Sequence, residues 1–494
     1  PGLMKGHINV MGELLLGHLR YGTQGKNNVE FCHPFIKRNT IPARNLALAG
    51  NFNLVNTEEL FRLADITPGE FQSQSDLAAM MEILHHYLVK ADEESPGHLD
   101  IVSVLKKVTP LFDGGYHYAG LVGNGDAFVM RDPHGIRPSY YYINDDVIVA
   151  ASERAAIRTA FNLEENEVME LMPGNALIVK AGGEYAIEQV VPAKERKACS
   201  FERFYFSRGS DEKIYRERLA LGYNLSSTVL KAVDYDLKNT IFSFIPNTAE
   251  TAFYGLIKGA EDYLNKIKIE RIMGWGKDFD KEKLSEMINR KIRIEKIAIK
   301  DVKLRTFITE DNSRNEMVQH VYDITYGTVR KNMDTLVVID DSIVRGTTLR
   351  ESIIRMLSRL KPKRIIIVSS APQIRYPDCY GIDMSKMGDF IAFKAAIELL
   401  KESGREGLLT DLYDKCKEWH ESNVLDTENL VRMLYKPFTP EEISAKIASL
   451  ITPDDISIPV DVIYQKIETL HEACPGNKGD WYFTGNYPTP GGNR

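Results

Sequence analysis

Cysteine is scarce: five residues in 494, at Cys32, Cys199, Cys379, Cys416 and Cys474. None forms a C-x-x-C pair, so zinc-ligand spacing is missing. An odd, scattered set fits a reducing cytoplasm better than a disulfide framework. No apolar run is long enough to span a membrane, and no signal-peptide pattern opens the chain. Basic residues are not in excess. The formal net charge is −7, which gives no reason to expect a nucleic-acid or anionic-membrane partner. Internal repeats and low-complexity tracts are also lacking. There is no initiator Met: the chain opens on Pro1 and runs into an apolar-rich stretch at 8–16. That stretch reads as the interior of a domain, so an upstream segment is expected.

What is present describes a globular chain of two or three domains, since 494 residues exceed one compact core. Residues 1–195 alternate short β-rich runs, at 45–49, 127–130 and 147–150, with turns. Leu77, Met80, Met81, Ile83 and Leu84 recur at helical spacing and predict a helix over 77–88. Residues 192–198 carry Lys194, Glu195, Arg196 and Lys197 and read as a linker. From 199 to 385 strands alternate with helices. The runs 242–245, 336–339 and 364–369 are buried-strand patterns, and a helix over 349–360 separates the last two. Strand, helix, strand in this register is a βαβ unit, which implies a parallel sheet. A charged helical insertion occupies 258–298, and residues 386–494 read as a mostly helical, polar extension.

The most informative stretch runs from Val337 to Thr348. A buried strand ends in Asp340 and Asp341, a short loop carries Ser342, Ile343, Val344, Arg345 and Gly346, and a helix opens on Thr347 and Thr348. A helix N-terminus offers unpaired N–H groups and the positive end of a dipole, which suits a phosphate monoester. Gly346 allows close backbone approach, and the two threonines add hydroxyl donors and a cap. The acids are not phosphate ligands, because like charges repel. They suit the 2′- and 3′-hydroxyls of a ribose. The loop therefore reads as a ribose-5-phosphate cradle at the carboxyl end of a parallel strand. It is not a Walker loop, which needs a Gly-Lys-Ser/Thr ending.

This segment resembles the 5-phosphoribosyl-1-pyrophosphate (PRPP) motif of type I phosphoribosyltransferases. Its Ser-Ile-Val-Arg-Gly-Thr-Thr form resembles that of the glutamine PRPP amidotransferase family. Further stretches agree with that family in order: Gly17-His18-Leu19-Arg20-Tyr21, residues 46–56, residues 131–138, Ala151-Ser152-Glu153, Met172-Pro173-Gly174, residues 204–208, Arg305-Thr306-Phe307-Ile308 and Tyr380-Gly381-Ile382-Asp383. The resemblance spans roughly 12–385. It implies an N-terminal-nucleophile (Ntn) glutaminase of four αββα layers over 1–195, N-terminally incomplete. A type I phosphoribosyltransferase α/β domain follows over 199–385, and then the extension.

The resemblance also implies site residues. For glutamine these are Arg20 for the α-carboxylate, Asp76 for the α-ammonium, and Asn51 with Phe52 at the oxyanion position. Phe52 stands where the family has Gly, and its Cβ restricts the backbone if φ is positive. The family nucleophile is a Cys at the mature N-terminus. Pro1 cannot serve, and Cys32 is internal and expected as a packed thiol. The missing nucleophile is expected upstream; a glutaminase-dead protein is the alternative. For PRPP the implied residues are Asp340–Thr348 and Thr248, in the loop 245–251 where pyrophosphate would sit. Lys303, Arg305 and Thr306 lie on a loop that closes over the substrate.

Mg²⁺ is the implied cofactor, with Asp340 and Asp341 near it. Some family members hold a [4Fe–4S] cluster through four cysteines. Here Cys199 matches one position, Asp378 stands at another with Cys379 one place off, and the segment 479–485 has lost its cysteines. No cluster is expected. The implied reaction is PRPP, glutamine and water to 5-phosphoribosylamine, glutamate and pyrophosphate, the first committed step of purine nucleotide synthesis. A homo-oligomer responsive to purine nucleotides is implied as well. A PRPP-sensing regulator without catalysis is the competing reading, as is an ammonia-dependent enzyme with an inactive glutaminase.

Overall fold

The computed structural model describes residues 12–19, 29–65, 75–276, 280–300, 322–381, 384–422 and 429–493. The first part of the chain forms two antiparallel sheets. The larger orders its strands Phe35–Lys37, Leu46–Leu54, Gly114–Val122, Ala127–Arg131, Asn175–Val179 and Tyr185–Gln189. The smaller orders Ile148–Ala151, Tyr140–Ile143 and Met169–Glu170.

Side chains alternate across a strand, and here the two faces have different tasks. Leu46, Leu48, Tyr116, Tyr118, Phe128 and Met130 point into a core shared with the helix Asp76–Glu94. Ala49, Asn51, Asn53, His117, Ala119 and Leu121 face a cavity that the smaller sheet lines from the other side. The helix Arg154–Phe161 packs against the smaller sheet. The order is helix, sheet, sheet, helix. The long helix forms where apolar spacing predicts it, and it extends from Asp76 to Glu94 because Ser75 caps it by accepting from Ala78 N at 3.3 Å.

The second part is a five-stranded, all-parallel sheet in the order Arg293–Ile294, Thr240–Phe244, Thr335–Asp340, Arg364–Ser369 and Val460–Tyr464. Both faces are covered. Val337, Ile339, Ile366 and Val368 meet the helices Glu212–Ala232 and Glu250–Gly274. Leu336, Val338, Ile365 and Ile367 meet Ile353, Leu357, Ala395 and Ile447 from the helices on the opposite side. All four residues 336–339 have 0 % exposure, and burying such a side chain stabilises the fold by about 1.5–3 kcal/mol.

Two boundaries differ from the sequence reading. The charged stretch 258–298 is not a detached insertion: its first part continues the helix Glu250–Gly274, and Arg293–Ile294 forms an edge of the sheet. The chain beyond 386 is not only a helical extension, because Val460–Tyr464 closes the other edge. Residues 192–198 are tied down, with Lys194 N donating to Pro133 O and Lys197 N to His134 O, both at 2.9 Å. No helix among the described residues is long and apolar enough to cross a membrane.

Candidate active site

Asp340 ends the central strand of the parallel sheet, and Asp341 begins the loop. Asp340 Oδ1 accepts from Asp341 N at 2.9 Å, and Asp341 Oδ1 accepts from the Ser342 hydroxyl at 3.0 Å. Burial pushes the Asp340 carboxyl well up, the Asp341 charge adds to this, and Lys300 opposes it. Burial also pushes Asp341 up, to about 6, against the Ser342 hydroxyl, the Arg218 guanidinium and the Thr248 hydroxyl. Two half-buried acids thus stand side by side, so a positive charge or a set of hydroxyls placed between them would be favoured.

Around the pair lie groups from distant parts of the chain. Thr248 is half-buried and hydrogen-bonds Asp341. It does not cap the following helix, whose N-cap is Ala249. Arg218 is buried on the helix Glu212–Ala232. It donates to Arg203 O at 2.9 Å, Tyr205 O at 3.2 Å and Ser207 O at 2.7 Å. Lys300 and Tyr322 pair across the antiparallel ribbon Ala298–Lys300 with Tyr322–Ile324, the Lys300 ammonium 5.9 Å from the Tyr322 ring centre. Burial raises the Tyr322 phenol, and both acids raise it further, so the ribbon stands beside the pair.

The loop bends at Gly346, whose φ is +72°. A Cβ there would come within 2.9 Å of Ile451 and 3.3 Å of Ile391. The glycine is required by its left-handed backbone and by packing beneath the loop, as well as by any ligand above it. Thr347 and Thr348 are exposed, and Thr348 makes no side-chain cap. The capping role expected for them does not hold. The helix already includes Thr347 and Thr348, and both side chains are exposed.

The second set of residues lines the cavity between the two antiparallel sheets, about 1330 Å³ in volume. Asn51, Phe52 and Asp76 all border it. Asp76 opens the long helix and accepts from Leu54 N at 3.0 Å, so it is tied to the strand that carries Asn51. Burial pushes its carboxyl up to about 6, two backbone N–H bonds opposing. Phe52 lies in extended strand backbone, without the positive φ that would make its Cβ costly, and its ring stacks on His33 at 5.8 Å.

No protein-family model matches the chain. Curated relatives do. The amidophosphoribosyltransferase of Saccharomyces cerevisiae is 28 % identical over 424 residues, 82 % of this chain and 76 % of that protein. That of Pseudomonas aeruginosa is 27 % identical over 79 % of this chain and 72 % of its own length. That of Escherichia coli is 26 % identical over 83 % and 76 %. This chain is a relative of the amidophosphoribosyltransferases. The fold agrees: the solved glutamine PRPP amidotransferase of B. subtilis, complexed with ADP and GMP, superposes with a TM-score of 0.63 at 23 % identity, covering 96 % of this chain and 82 % of that one.

Of the residues that amidophosphoribosyltransferase likeness implies, Arg20, Lys303, Arg305 and Thr306 fall outside the described residues. The remainder fall into two groups, Asp340–Thr348 with Thr248, and Asn51 with Phe52 and Asp76. Cys32 is exposed, not packed. Among the described residues no cysteine lines the cavity. The Cys199 thiol pairs with the Tyr482 hydroxyl at 2.6 Å, and Asp378 accepts from Trp481 Nε1 at 2.8 Å. Sequence reading missed Arg218, Lys300 and Tyr322. Lys300 had a signal, lying just before the basic stretch 303–305; Arg218 had none, since only folding brings it to the acids.

Proposed function

We propose that this chain is an amidophosphoribosyltransferase, making 5-phosphoribosylamine from PRPP at the acid-pair loop. One observation carries the reading: two adjacent half-buried carboxylates at the carboxyl edge of a parallel sheet, followed at once by a glycine bend and a helix N-terminus. The helix end and the amides of residues 344–348 suit the 5-phosphate. Asp340 and Asp341 suit the ribose hydroxyls. Thr248, bonded to Asp341, stands on the loop that would meet pyrophosphate. Residues 1–195 and 199–385 divide the work as glutaminase and transferase, and the latter needs Val460–Tyr464 to complete its sheet.

The reaction breaks the C1–O bond of PRPP, pyrophosphate leaves with the electron pair, and ammonia forms the C1–N bond and then gives up a proton to water. Protein groups act by position and charge. The ordinary Mg²⁺ arrangement is one or two carboxylates, with phosphate and water completing the shell, and Asp340 with Asp341 fits it. Bound there, Mg²⁺ would neutralise charge on the leaving pyrophosphate. Lys303, Arg305 and Thr306 follow the ribbon at Lys300, and in this reading they close over PRPP and exclude water.

On the glutamine side Asp76 takes the α-ammonium, Arg20 the α-carboxylate, and Asn51 donates to the oxyanion of the tetrahedral intermediate. Ammonia-dependent transfer is the half-reaction that the acid-pair loop would carry by itself. Purine nucleotides as inhibitors and a homo-oligomer belong to the same proposal.

The deciding experiment supplies PRPP, Mg²⁺ and ammonium chloride at alkaline pH and follows pyrophosphate. Release that depends on ammonia is expected. PRPP binding without release would establish the regulator reading instead.

A further inference from the structure

Opposite Asn51, on the strand Gly114–Val122, stands His117. On its other side His117 is paired with Arg131. Directly opposed residues of an antiparallel pair project from the same face, with Cβ atoms about 4.5–5.5 Å apart. Asn51 and His117 both border the cavity between the two antiparallel sheets. The next opposed pair on that face, Ala49 with Ala119, borders it too and is small. A ligand can therefore lie flat against the strands here without meeting a bulky side chain.

The His117 side chain is buried, at 7 % exposure, and its Nδ1 finds no hydrogen-bond partner among the described residues. The neighbours are engaged elsewhere. The Arg131 guanidinium donates to Arg137 O at 2.8 Å, Gly135 O at 3.1 Å, Glu170 Oε1 at 2.7 Å and Leu171 O at 2.6 Å. Asn53 Nδ2, on the strand of Asn51, donates to Cys379 O at 2.8 Å. A buried nitrogen left unpaired is costly, and in a folded protein such a group calls for a missing partner. Burial first, and the Arg131 charge second, push the ring down to about 3. His117 is therefore neutral near pH 7 and presents one N–H donor and one bare nitrogen acceptor.

We propose that His117 is a further substrate-binding residue, whose ring reads the γ-carboxamide of glutamine beside Asn51. The proposal rests on the reading of Asn51 and Asp76 as a glutamine site. A carboxamide carries an acceptor oxygen and two donor N–H bonds, so it pairs with a neutral imidazole in either tautomer. The γ-carboxylate of glutamate has no N–H to give. It accepts from the ring in one tautomer only, and a neutral ring offers it no positive charge. Asp76 and Arg20 hold groups that glutamine and glutamate share, so choice between the two has to be made at the γ position. A buried polar group that only one of two ligands satisfies is an effective way to make it. His117 thus sets a preference for substrate over product, while Asn51 serves the oxyanion.

The test is calorimetry of the full chain with L-glutamine and with L-glutamate, on the parent, His117→Ala and His117→Gln, the last keeping a neutral donor and acceptor. His117→Ala should weaken glutamine binding about 5–30-fold, as the loss of one or two neutral hydrogen bonds does, and leave glutamate within about threefold. His117→Gln should bring glutamine back to within about threefold of the parent. Equal weakening of both ligands in His117→Ala would show a merely structural role and overturn the proposal, as would unchanged glutamine affinity. Ring ¹⁵N spectra of the histidine-labelled parent give a second measurement. Glutamine should shift the signal of a ring that does not titrate between about pH 5 and 8. If glutamine moves no such signal the proposal falls, a result that stands even if the variants do not fold. A parent that binds neither ligand would remove the glutamine site itself, and the two failures are thus told apart.

Discussion

Asp341 and Asp76 are both carboxylates that burial pushes up to about 6, yet they are built for different partners. Asp341 has a second acid beside it, with an arginine, a serine and a threonine arranged around the pair. Asp76 is a single acid held by backbone N–H groups from Leu54 and its own residue. The pair keeps a charge excess that a cation or several hydroxyls must relieve. The single acid, in the proposed reading, takes one ammonium. In that reading the same raised acidity serves two binding tasks, and neighbouring charges, not burial, set which ligand enters.

The comparison breaks most visibly at the pair. Replacing Asp340 and Asp341 together by Asn should remove charge-assisted bonds worth roughly 1.5–3 kcal/mol each, hence about 10²–10⁴-fold in turnover of PRPP. The melting temperature should not fall, because two like charges leave a confined site. Turnover within tenfold of the parent would sink the assignment of the pair. A smaller loss is expected at the single acid. Asp76→Asn should weaken glutamine binding about 10–100-fold by calorimetry, one charge-assisted bond being lost, while PRPP binding stays unchanged. A matching loss of PRPP affinity would mean that the two acids do not serve separate ligands.

The smallest effect, and the sharpest comparison, is in pH. The folded protein keeps protons on Asp341 and Asp76 up to about 6, whereas an unfolded chain has released them by then. Stability of the unliganded protein should therefore fall as pH rises from the ordinary carboxylate range through about 6. Binding of Mg²⁺ with PRPP needs the ionised pair, so its affinity should climb as pH rises through the range in which Asp341, near 6, and Asp340, which burial also pushes well up, lose their protons. Glutamine affinity should follow the same rise through Asp76 alone. A flat profile for Mg²⁺–PRPP between pH 5 and 7 would show that the acids do not bear on that ligand.

Much of the parallel sheet was legible because its strands are buried on both faces and write continuous apolar runs, as at 336–339 and 365–368. The loop after Asp340 was legible for the same reason: a strong strand fixes where the loop begins. The strand Val460–Tyr464 was hidden, since it is an edge strand, mostly half-buried, and shows no such run. The ribbon at Lys300 and Tyr322 was hidden by brevity, three residues on each side. Arg218 sits on a helix whose pattern reports only packing. Asn53 lies beside residues already read as an oxyanion site, and nothing local says that its amide reaches Cys379.

The late strand has a consequence for how the chain is made. Arg364–Ser369 pairs on one side with the acid-bearing strand and on the other with Val460–Tyr464. During synthesis the ribose-phosphate loop can form early, but its sheet carries an open, strongly apolar edge until the last strand emerges from the ribosome. Non-local pairing of this kind folds slowly and exposes a template for other chains. Truncation before residue 460 should therefore leave the loop's residues intact and still yield a protein that aggregates.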